Sequence, residues 1–239
     1  MKRVGGDRVE ARVVDLCREH SLSVGSEDAL LSILGSLADD HAPTAVKDPK
    51  EGVDVHLADA LSGLVAPELS GATGTIADIG SGCGIPAVPL AVALPGAMVI
   101  AVEAVGRKCD FISKMAATAG VSNVGVVKSR AEEWGAGFGS CEVVTARALA
   151  PLPVLAEYAA PLLVLGGSLV AWKGRPEVRE HEAALIACQD LGLEMLDPIE
   201  VQPWPSGGVR TLVRIRKVAD TPDRFPRRAG IAAKRPLGL

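Results

Sequence analysis

TIADIGSGCGIPAVPLAV, residues 75–92, is the stretch that decides the fold. It opens with a short apolar run that ends in glycine, which predicts a buried strand. The loop SGCGIP follows, and the apolar residues 87–94 then predict a helix. A strand, a glycine-rich turn and a helix form the unit at which doubly wound α/β sheets bind ligands, beyond the carboxyl ends of their strands. We therefore expect an α/β protein with a ligand site at this turn.

The same alternation continues toward the C-terminus. Further strands are predicted over residues 98–104, 123–129, 141–147, 166–174, 194–201 and 210–218, and further helices over 106–120, 151–163 and 176–192. Strands that alternate with helices imply parallel pairing with right-handed crossovers. No helix separates the last two strands, so they predict an antiparallel hairpin at one sheet edge. A Rossmann-like, doubly wound sheet of seven strands whose last strand is antiparallel matches the class I methyltransferase layout, and we assign residues 71–218 to this core.

Residues 1–70 predict a helical extension that packs on the core. Apolar residues recur at helical spacing over residues 7–20, and again from Leu30 to Leu37. Ser26 is the expected N-cap of the second helix, because acidic residues follow it in the first turn. Residues 41–51 contain two prolines and mixed charge, which predicts a loop, and a third helix is expected over residues 53–65.

The acidic residues around the glycine loop indicate the ligand. A dinucleotide site has the pattern G-x-G-x-x-G, whereas this loop reads G-x-G-x-G, with Ile85 after its last glycine. Asp78, two positions before the first glycine, would repel a pyrophosphate but attract the ammonium of a methionine moiety. Glu103 ends the next strand, where an acid accepts hydrogen bonds from a ribose diol. The pattern favours S-adenosylmethionine over NAD; the alternative is a βα turn with solvated acids.

The ends of the third and fourth strands add to the expected cofactor pocket. Ala131 and Glu132 follow the third strand, where an adenine edge is commonly held. Arg147 ends the fourth strand and can hold a cofactor carboxylate or an RNA phosphate, unless it forms a surface ion pair. The fourth strand end lacks the Asn/Asp-Pro-Pro-aromatic stretch of exocyclic-amine methyltransferases and a cysteine nucleophile. The cofactor-binding candidates are Asp78, Gly80, Ser81, Gly82, Gly84, Ile85, Glu103, Ala131, Glu132 and Arg147.

Composition restricts the class of protein further. No apolar run is long enough to cross a bilayer, and the N-terminus lacks the apolar segment of a secretory signal, so we expect a cytoplasmic protein without membrane contact. The five cysteines and four histidines do not cluster, so we expect no metal site and reduced thiols. Residues 207–239 carry nine basic and two acidic residues, a net charge of +7, which leaves −11 for the rest of the chain. This basic end, with its tail at 219–239, is either a phosphate-binding patch or a solvated segment.

Several motifs together resemble the RsmG (GidB) family of bacterial small-subunit rRNA guanine-N7 methyltransferases. The resemblance runs from about Lys47 to the C-terminus. It is carried by His56-x-x-Asp59, DIGSGCGIPAVPLAV, VEAVGRK, SRAEEW, TARAL, AWKG and the tail RFPRRAGIAAKRPLG. The chain departs from the family pattern at Ala42-Pro43-Thr44, Asp59-Ala60 and Ala87-Val88.

The resemblance implies an enzyme that uses S-adenosylmethionine to methylate N7 of a specific guanine in 16S rRNA. It implies that Gly80, Ile85, Ala131, Glu132 and Arg147 contact the cofactor. Lys173 and the tail basics would face RNA. Partners would be 16S rRNA and the small ribosomal subunit, with no DNA, and nothing in the sequence demands more than a monomer.

Guanine N7 has an in-plane lone pair and no proton, so its methylation needs no general base. Catalysis would come from in-line positioning of N7 and the methyl group, in a site that tolerates positive charge through Asp78 or Glu103. His56 and Asp59 lie three apart on a predicted helix and either border the target base or make a packing contact. With Arg147 and Lys173 they are the candidates on the RNA side. The alternatives are a non-catalytic ribosome-binding module, a small-molecule methyltransferase and a nucleotide-binding dehydrogenase.

Overall fold

The computed structural model describes residues 6–174 and 177–239. The first five residues of the predicted helical extension, and Pro176 at the start of the last long predicted helix, lie outside these ranges.

A single mixed sheet forms the centre of the molecule. Its strands are β1 (Thr75–Ile79), β2 (Met98–Glu103), β3 (Val124–Lys128), β4 (Cys141–Arg147), β5 (Leu163–Lys173), β6 (Leu193–Met195), β7 (Ile199–Val201) and β8 (Arg210–Lys217). The strand order is β3-β2-β1-β4-β5-β8-β6, and β7 also pairs with β8. β1 to β5 are parallel, whereas β8 is antiparallel to β5. The predicted doubly wound sheet with an antiparallel last strand is confirmed.

The far edge of the sheet differs from the prediction in one respect. The strand predicted over residues 194–201 is two short strands, β6 and β7, which both pair with β8. Leu196 still donates a hydrogen bond from its backbone N–H to the carbonyl of Arg214, but Pro198 has no N–H to continue the ladder. β8 is therefore an inner strand between β5 and this broken edge, and not the edge strand itself.

Helices cover both faces of the sheet. They are α1 (Asp7–Glu19), α2 (Ser26–Leu37), α3 (Pro49–Gly52), α4 (Asp59–Leu61), α5 (Pro67–Ser70), α6 (Ala87–Ala93), α7 (Gly106–Thr118), α8 (Leu152–Ala159), α9 (Val178–Leu191) and α10 (Ile231–Lys234). Because successive strand residues point to opposite faces, Ile76 belongs to the core that includes residues of α1, α2 and α6, while Ala77 belongs to the core that includes residues of α8 and α9. Two cores result, one on each side of the sheet.

The N-terminal extension packs on the α6 side of the sheet. The residue before α2 is Gly25 in a left-handed conformation, so the predicted N-cap Ser26 is wrong by one position; Ser26 is the first helical residue, and its hydroxyl lies 3.3 Å from that of Ser23. Between α3 and α4 the chain forms a π-helical segment over Val53–Ala58, and a 3₁₀ turn over Ser62–Val65 follows α4. The predicted third helix is thus present, but it starts at Pro49 and is irregular.

The last residues, 219–239, form a strap across α8 and α9, which we call the C-terminal strap. Phe225 and Ala232 are buried in the core on this side. The guanidinium of Arg227 forms an ion pair with the carboxylate of Glu157, which is 1% exposed. The strap is therefore part of the folded body and not a solvated tail.

Over the ranges 6–174 and 177–239, no helix combines the length and the apolar character that a bilayer crossing requires.

Candidate functional site

The ends of β1, β2, β4 and β5 open into one cavity of about 820 Å³. This volume lies within the range of small-molecule and cofactor sites. Its wall includes residues from the glycine loop, from the strand ends, from α8 and from the N-terminal extension. Those used below are Pro43, Asp59, Gly80, Ser81, Gly82, Ile85, Glu103, Lys108, Arg130, Ala131, Glu132, Arg147, Leu149, Tyr158, Trp172, Lys173 and Arg210.

The three glycines of the loop have different roles, although all have positive φ angles. Gly80 and Gly82 line the cavity, and a Cβ on Gly82 would meet nothing closer than 3.8 Å. The loop backbone there is open to a ligand. Gly84 lies behind the wall, where a Cβ would stand 2.8 Å from the side chain of Met115. Gly84 therefore permits close packing of the loop against α7.

Asp78 lies under the loop and not in the cavity wall. Its carboxylate accepts hydrogen bonds from Ser81 Oγ (2.7 Å) and from Thr145 Oγ1 (2.9 Å), and Thr145 is its register partner on β4. Burial raises the pKa of Asp78 to about 6, although both hydroxyl donors oppose the rise. The residue fixes the loop from below and ties β1 to β4.

Glu103 lines the cavity at the end of β2. Its Oε2 accepts a hydrogen bond from the N–H of Gly82 (3.0 Å), and its Oε1 accepts one from the N–H of Val105 (2.8 Å). Lys108 Nζ stands 4.0 Å from Oε2. The carboxylate is therefore held in one orientation between the glycine loop and the start of α7.

Ala131 and Glu132 form the wall after β3, beside Arg130 and Tyr158. Glu132 is buried, and its Oε1 accepts a hydrogen bond from the N–H of Gly230 in the C-terminal strap (3.1 Å). Burial raises the pKa of Tyr158, which keeps this phenol neutral at pH 7. The strap thus reaches the part of the cavity that the sequence assigned to an adenine.

Asp59 joins the N-terminal extension to three neighbouring strands. Its carboxylate accepts hydrogen bonds from Arg147 Nη1 (2.8 Å) and Arg210 Nε (2.9 Å), and its backbone carbonyl accepts one from Trp172 Nε1 (2.8 Å). Asp59 is 3% exposed, so these charge-assisted bonds are shielded from solvent. Arg147 does form an ion pair, but the pair lies in the cavity wall and not on the surface as the alternative reading of the sequence had it. It leaves other N–H groups of the guanidinium without a partner in the described structure.

His56 and Asp59 share a segment but not an environment. His56 is absent from the residues that line the cavity, and its Nε2 lies 3.0 Å from the carbonyl of Val46 and 3.4 Å from Thr44 Oγ1. Burial lowers the pKa of His56, so the imidazole is neutral at pH 7. Its Nδ1 is buried without a hydrogen-bond partner in the described structure. These contacts fit the packing alternative. Pro43, which lies three residues before Val46 and belongs to the chain's departure from the family pattern, does reach the cavity.

Lys173 lies in the wall at the end of β5. Its ammonium stands 2.7 Å from the carboxylate of Glu180 on α9, and 3.4 Å from the carbonyl of Ala150. Two of the four RNA-side candidates, Arg147 and Lys173, therefore reach the cavity already paired with acids.

Arg210, Lys108 and Arg130 are wall residues that the sequence did not predict. Lys108 stands in the quoted motif VEAVGRK and Arg130 in SRAEEW, so both could have been found beside Glu103 and Ala131. Arg210 carries no comparable signal, because it is one of nine basic residues near the C-terminus and reaches the site only through strand order.

The basic C-terminal residues are not one uniform patch. Arg214 pairs with Glu68, and Lys217 is buried with its ammonium on two backbone carbonyls, those of Ala160 and Leu163. Burial lowers the pKa of Lys217. Exposed and without an ion-pair partner in the described structure are Arg216, Arg228, Lys234 and Arg235.

All five cysteines are buried and free, and Cys141 stands at the opposite end of β4 from Arg147. Within the described ranges no cluster of His, Cys, Asp or Glu can hold a metal ion.

Two methyltransferases of known structure share this fold. A geranyl diphosphate methyltransferase solved with S-adenosylmethionine is 16% identical, with a TM-score of 0.53 over 67% of this chain and 85% of that one. The 16S rRNA (adenine(1408)-N(1))-methyltransferase of Catenulisporales acidiphilia is 18% identical, with a TM-score of 0.52 over 66% of this chain and 91% of that one. The strand order, the glycine loop and the cavity at the strand ends are those of the class I methyltransferase fold.

The family follows from sequence comparison. The model of the GidB family, described as rRNA small subunit methyltransferase G, matches residues 28–201. Ribosomal RNA small subunit methyltransferase G of Chloroflexus aggregans is 42% identical over 199 residues, which cover 81% of this chain and 82% of that protein. The Carboxydothermus hydrogenoformans protein of the same name is 32% identical over 96% of this chain and 100% of its own length. The chain belongs to the RsmG (GidB) family and is an rRNA methyltransferase that uses S-adenosylmethionine.

Proposed function

We propose that this enzyme transfers a methyl group to N7 of one specific guanine in the 16S rRNA of the small ribosomal subunit. The supporting observation is the state of the carboxylates in the cavity wall. Asp59, Glu103 and Glu132 each accept hydrogen bonds from N–H donors of the protein. Carboxylates that are held by N–H donors in this way are suited to orient a bound substrate and to balance positive charge. N7 presents a lone pair and no proton, so a site of this kind suffices for it.

The cavity fits S-adenosylmethionine, whose sulfonium supplies the methyl group. Gly82 offers open backbone at the loop, whereas a Cβ on Gly80 would stand 2.5 Å from the side chain of Leu149. Glu103 stands at the end of β2, where an acid can accept hydrogen bonds from a ribose. Ala131 and Glu132 would hold the adenine side. Ser81 and Ile85 complete the loop wall, while Asp78 and Gly84 support it from behind.

The remaining wall belongs to the RNA in this proposal. Rate acceleration would come from holding the guanine in line with the methyl group in the cavity. The guanine becomes cationic as the methyl group arrives, and the wall carboxylates of Glu103 and Glu132 make the site tolerant of that charge. Lys173 and the exposed basics of the C-terminal strap would contact RNA phosphates.

The enzyme would act in the cytoplasm, as a monomer, on RNA and not on DNA or a membrane. One chain builds the whole cavity wall described above, which supports a monomer.

Chemical mapping of the methylated base tests the proposal. Purified protein is incubated with radiolabelled methyl-S-adenosylmethionine and small subunits from a strain that lacks the corresponding activity. Borohydride and aniline then cut the RNA at N7-methylguanine. One cleavage site is expected; label without cleavage would place the methyl group on another atom.

A parallel titration with S-adenosylhomocysteine separates the alternatives. Binding of this product without label on subunits would favour a non-catalytic ribosome-binding module. Label on small molecules but not on subunits would favour a small-molecule methyltransferase. A thermal shift with NADH and none with S-adenosylhomocysteine would indicate a dehydrogenase.

A further inference from the structure

The contacts of Asp59 form a cradle for an anion. Arg147 ends β4, Trp172 is its register partner on β5, and Leu212 is the partner of Trp172 on β8. Arg210 begins β8, so the two arginines approach Asp59 from strands on either side of β5. The buried carboxylate of Asp59 holds two guanidinium groups. The three side chains together have a net positive charge, and all three line the cavity.

Each guanidinium is fixed by only part of its donors. Arg147 uses Nη1 for Asp59 and for the carbonyl of Val55. Arg210 uses Nε for Asp59, and its guanidinium carbon lies 5.7 Å from the ring centre of Trp204. The other N–H groups of both side chains have no hydrogen-bond partner in the described structure. An arginine that is held on one edge and supported on one face presents the rest of its planar donor set to a ligand.

The two arginines face different parts of the cavity. Arg147 is close enough to Asp78 and Cys83, at the glycine loop, to influence the pKa of both. Arg210 lies beyond β5, on the side of the cavity away from that loop. Lys173, the other cation on that side, already pairs with Glu180 at 2.7 Å. Arg210 therefore has the donors and the position to bind a phosphate in the half of the cavity that the cofactor does not fill.

We propose that Arg210 binds a backbone phosphate of the RNA beside the target guanine, and that Asp59 is the positioning residue that presents it. This proposal rests on the proposed function, because it requires the methyl acceptor to be RNA. Planar, two-pronged recognition of a phosphate is what an arginine provides and a lysine provides only in part. Asp59 itself does not touch the substrate.

Substitutions of Arg210 test the phosphate contact. Arg210→Gln should raise the KM for unmethylated small subunits about tenfold, the loss expected for one charge-assisted hydrogen bond, with little change in the KM for S-adenosylmethionine. The salt dependence of 16S rRNA binding should weaken by about 0.7 to 0.9 in the slope of log K against log salt, the value for one phosphate. Arg210→Lys should keep most of that slope.

Arg216→Gln is the matched control, because Arg216 lies exposed on the same strand, opposite Ser168 and outside the cavity wall. It removes the same charge and should change neither the KM nor the slope. Equal effects of Arg210→Gln and Arg216→Gln would overturn the proposal, as would a rise confined to the KM for S-adenosylmethionine.

Asp59→Asn tests the positioning role. It leaves Arg210 in the chain but should weaken the salt slope as Arg210→Gln does, and a merely structural role would lower the melting temperature without moving that slope. The Arg210 variants decide the proposal if the Asp59 variant does not fold. Filter binding measures the affinity for RNA without methyl transfer, so its result does not depend on the target atom. If Arg210→Gln weakens the salt slope but no cleavage at N7-methylguanine is found, the phosphate contact stands and only the assignment of the target atom is wrong.

Discussion

Asp78 is a buried carboxylate whose charge is costly, and its hydroxyl partners only partly offset that cost. Because its pKa is raised to about 6, the folded protein holds this proton more tightly than the unfolded chain does. The stabilisation from this group is complete below the unfolded pKa, and it is lost as the pH rises through about 6. Asp78→Asn removes the titration, so the wild type should lose about 1 to 2 kcal/mol relative to the variant between pH 5 and pH 8.

Urea unfolding of both proteins across this range measures the difference, in which the other titrating groups cancel. If the difference in unfolding free energy between wild type and variant stays constant with pH, Asp78 has the same pKa in the folded and the unfolded chain, and the prediction is wrong. Binding of S-adenosylhomocysteine, measured in parallel, should weaken in the variant at pH 8, because Ser81 loses a charged acceptor and the loop loses its support from below.

The same residue shows what a sequence pattern can and cannot predict about a site. The sequence predicts Asp78 as part of the cofactor region from its position before the loop, but it does not show that the side chain lies under the loop and outside the cavity wall. Thr145 is the reason: it lies 67 residues away and meets Asp78 only because β4 pairs with β1. Spacing along one strand identifies candidates, and pairing between strands decides which of them face a ligand.

At the scale of elements, the strands were predictable because their apolar runs are continuous and end at glycine or charged residues. For the region from Pro49 to Val65 the sequence predicted a helix, but it did not predict the π-helical and 3₁₀ segments that make this helix irregular. Its π-helical part, Val53–Ala58, changes which side chains share a face, so the three-residue spacing of His56 and Asp59 did not bring both into the cavity. The C-terminal strap has no long periodic segment, and its docking depends on single residues such as Phe225.

The contact between Gly63 and Trp172 fixes the N-terminal extension on the core. A Cβ on Gly63 would stand 2.1 Å from Cζ2 of Trp172, whose indole N–H is bound to the carbonyl of Asp59. We expect Gly63→Ala to destabilise the protein by about 1 to 3 kcal/mol through overpacking, and to perturb the near-ultraviolet circular dichroism of tryptophan. Gly135→Ala is the control: Gly135 also lies in a 3₁₀ turn, and no heavy atom comes within 4 Å of its added Cβ. Equal losses of stability would mean that backbone freedom, and not Trp172, sets the cost.

The C-terminal strap is held by one strong ion pair and one weak one. Arg227 forms charge-assisted hydrogen bonds with Glu157, which raise the pKa of Arg227, and Glu157 is 1% exposed. Arg227→Ala leaves that carboxylate buried and unpaired, so we expect a loss of about 3 kcal/mol in the free energy of unfolding. Arg224→Ala, the matched control, removes an exposed pair with Asp190 at 3.8 Å and should cost less than about 1 kcal/mol. Similar costs in urea unfolding would show that the strap does not rely on Glu157.

At the scale of the whole molecule, charge is divided between an acidic body and a basic end. Within that end, Arg210, Arg214, Arg224 and Arg227 pair with acids of the body, and Lys217 is buried on backbone carbonyls. The exposed strap cations without an ion-pair partner in the described structure are Arg228, Lys234 and Arg235. Gly230, which lies between Arg228 and Lys234 in the chain, donates a hydrogen bond to Glu132 in the cavity wall and so fixes one point of the strap at the site. Folding thus pairs or buries five of the nine basic residues of this end and leaves three exposed cations on the strap without an ion-pair partner in the described structure.

Replacing the three strap cations by glutamine should weaken binding of 16S rRNA and leave binding of S-adenosylhomocysteine unchanged, because all three are exposed and none lines the cavity. If each neutralises one phosphate, the slope of log K against log salt should weaken by about 2 to 3. The control replaces Arg8, Lys114 and Arg216, which are also exposed and outside the cavity wall but lie on α1, on α7 and on β8. Since both variants change the net charge of −4 to −7, an effect of net charge alone would weaken binding equally in both. Weaker binding in the strap variant alone would mean that the position of the charges, set by the docking of the strap on Glu132 and Glu157, guides the RNA to the cavity.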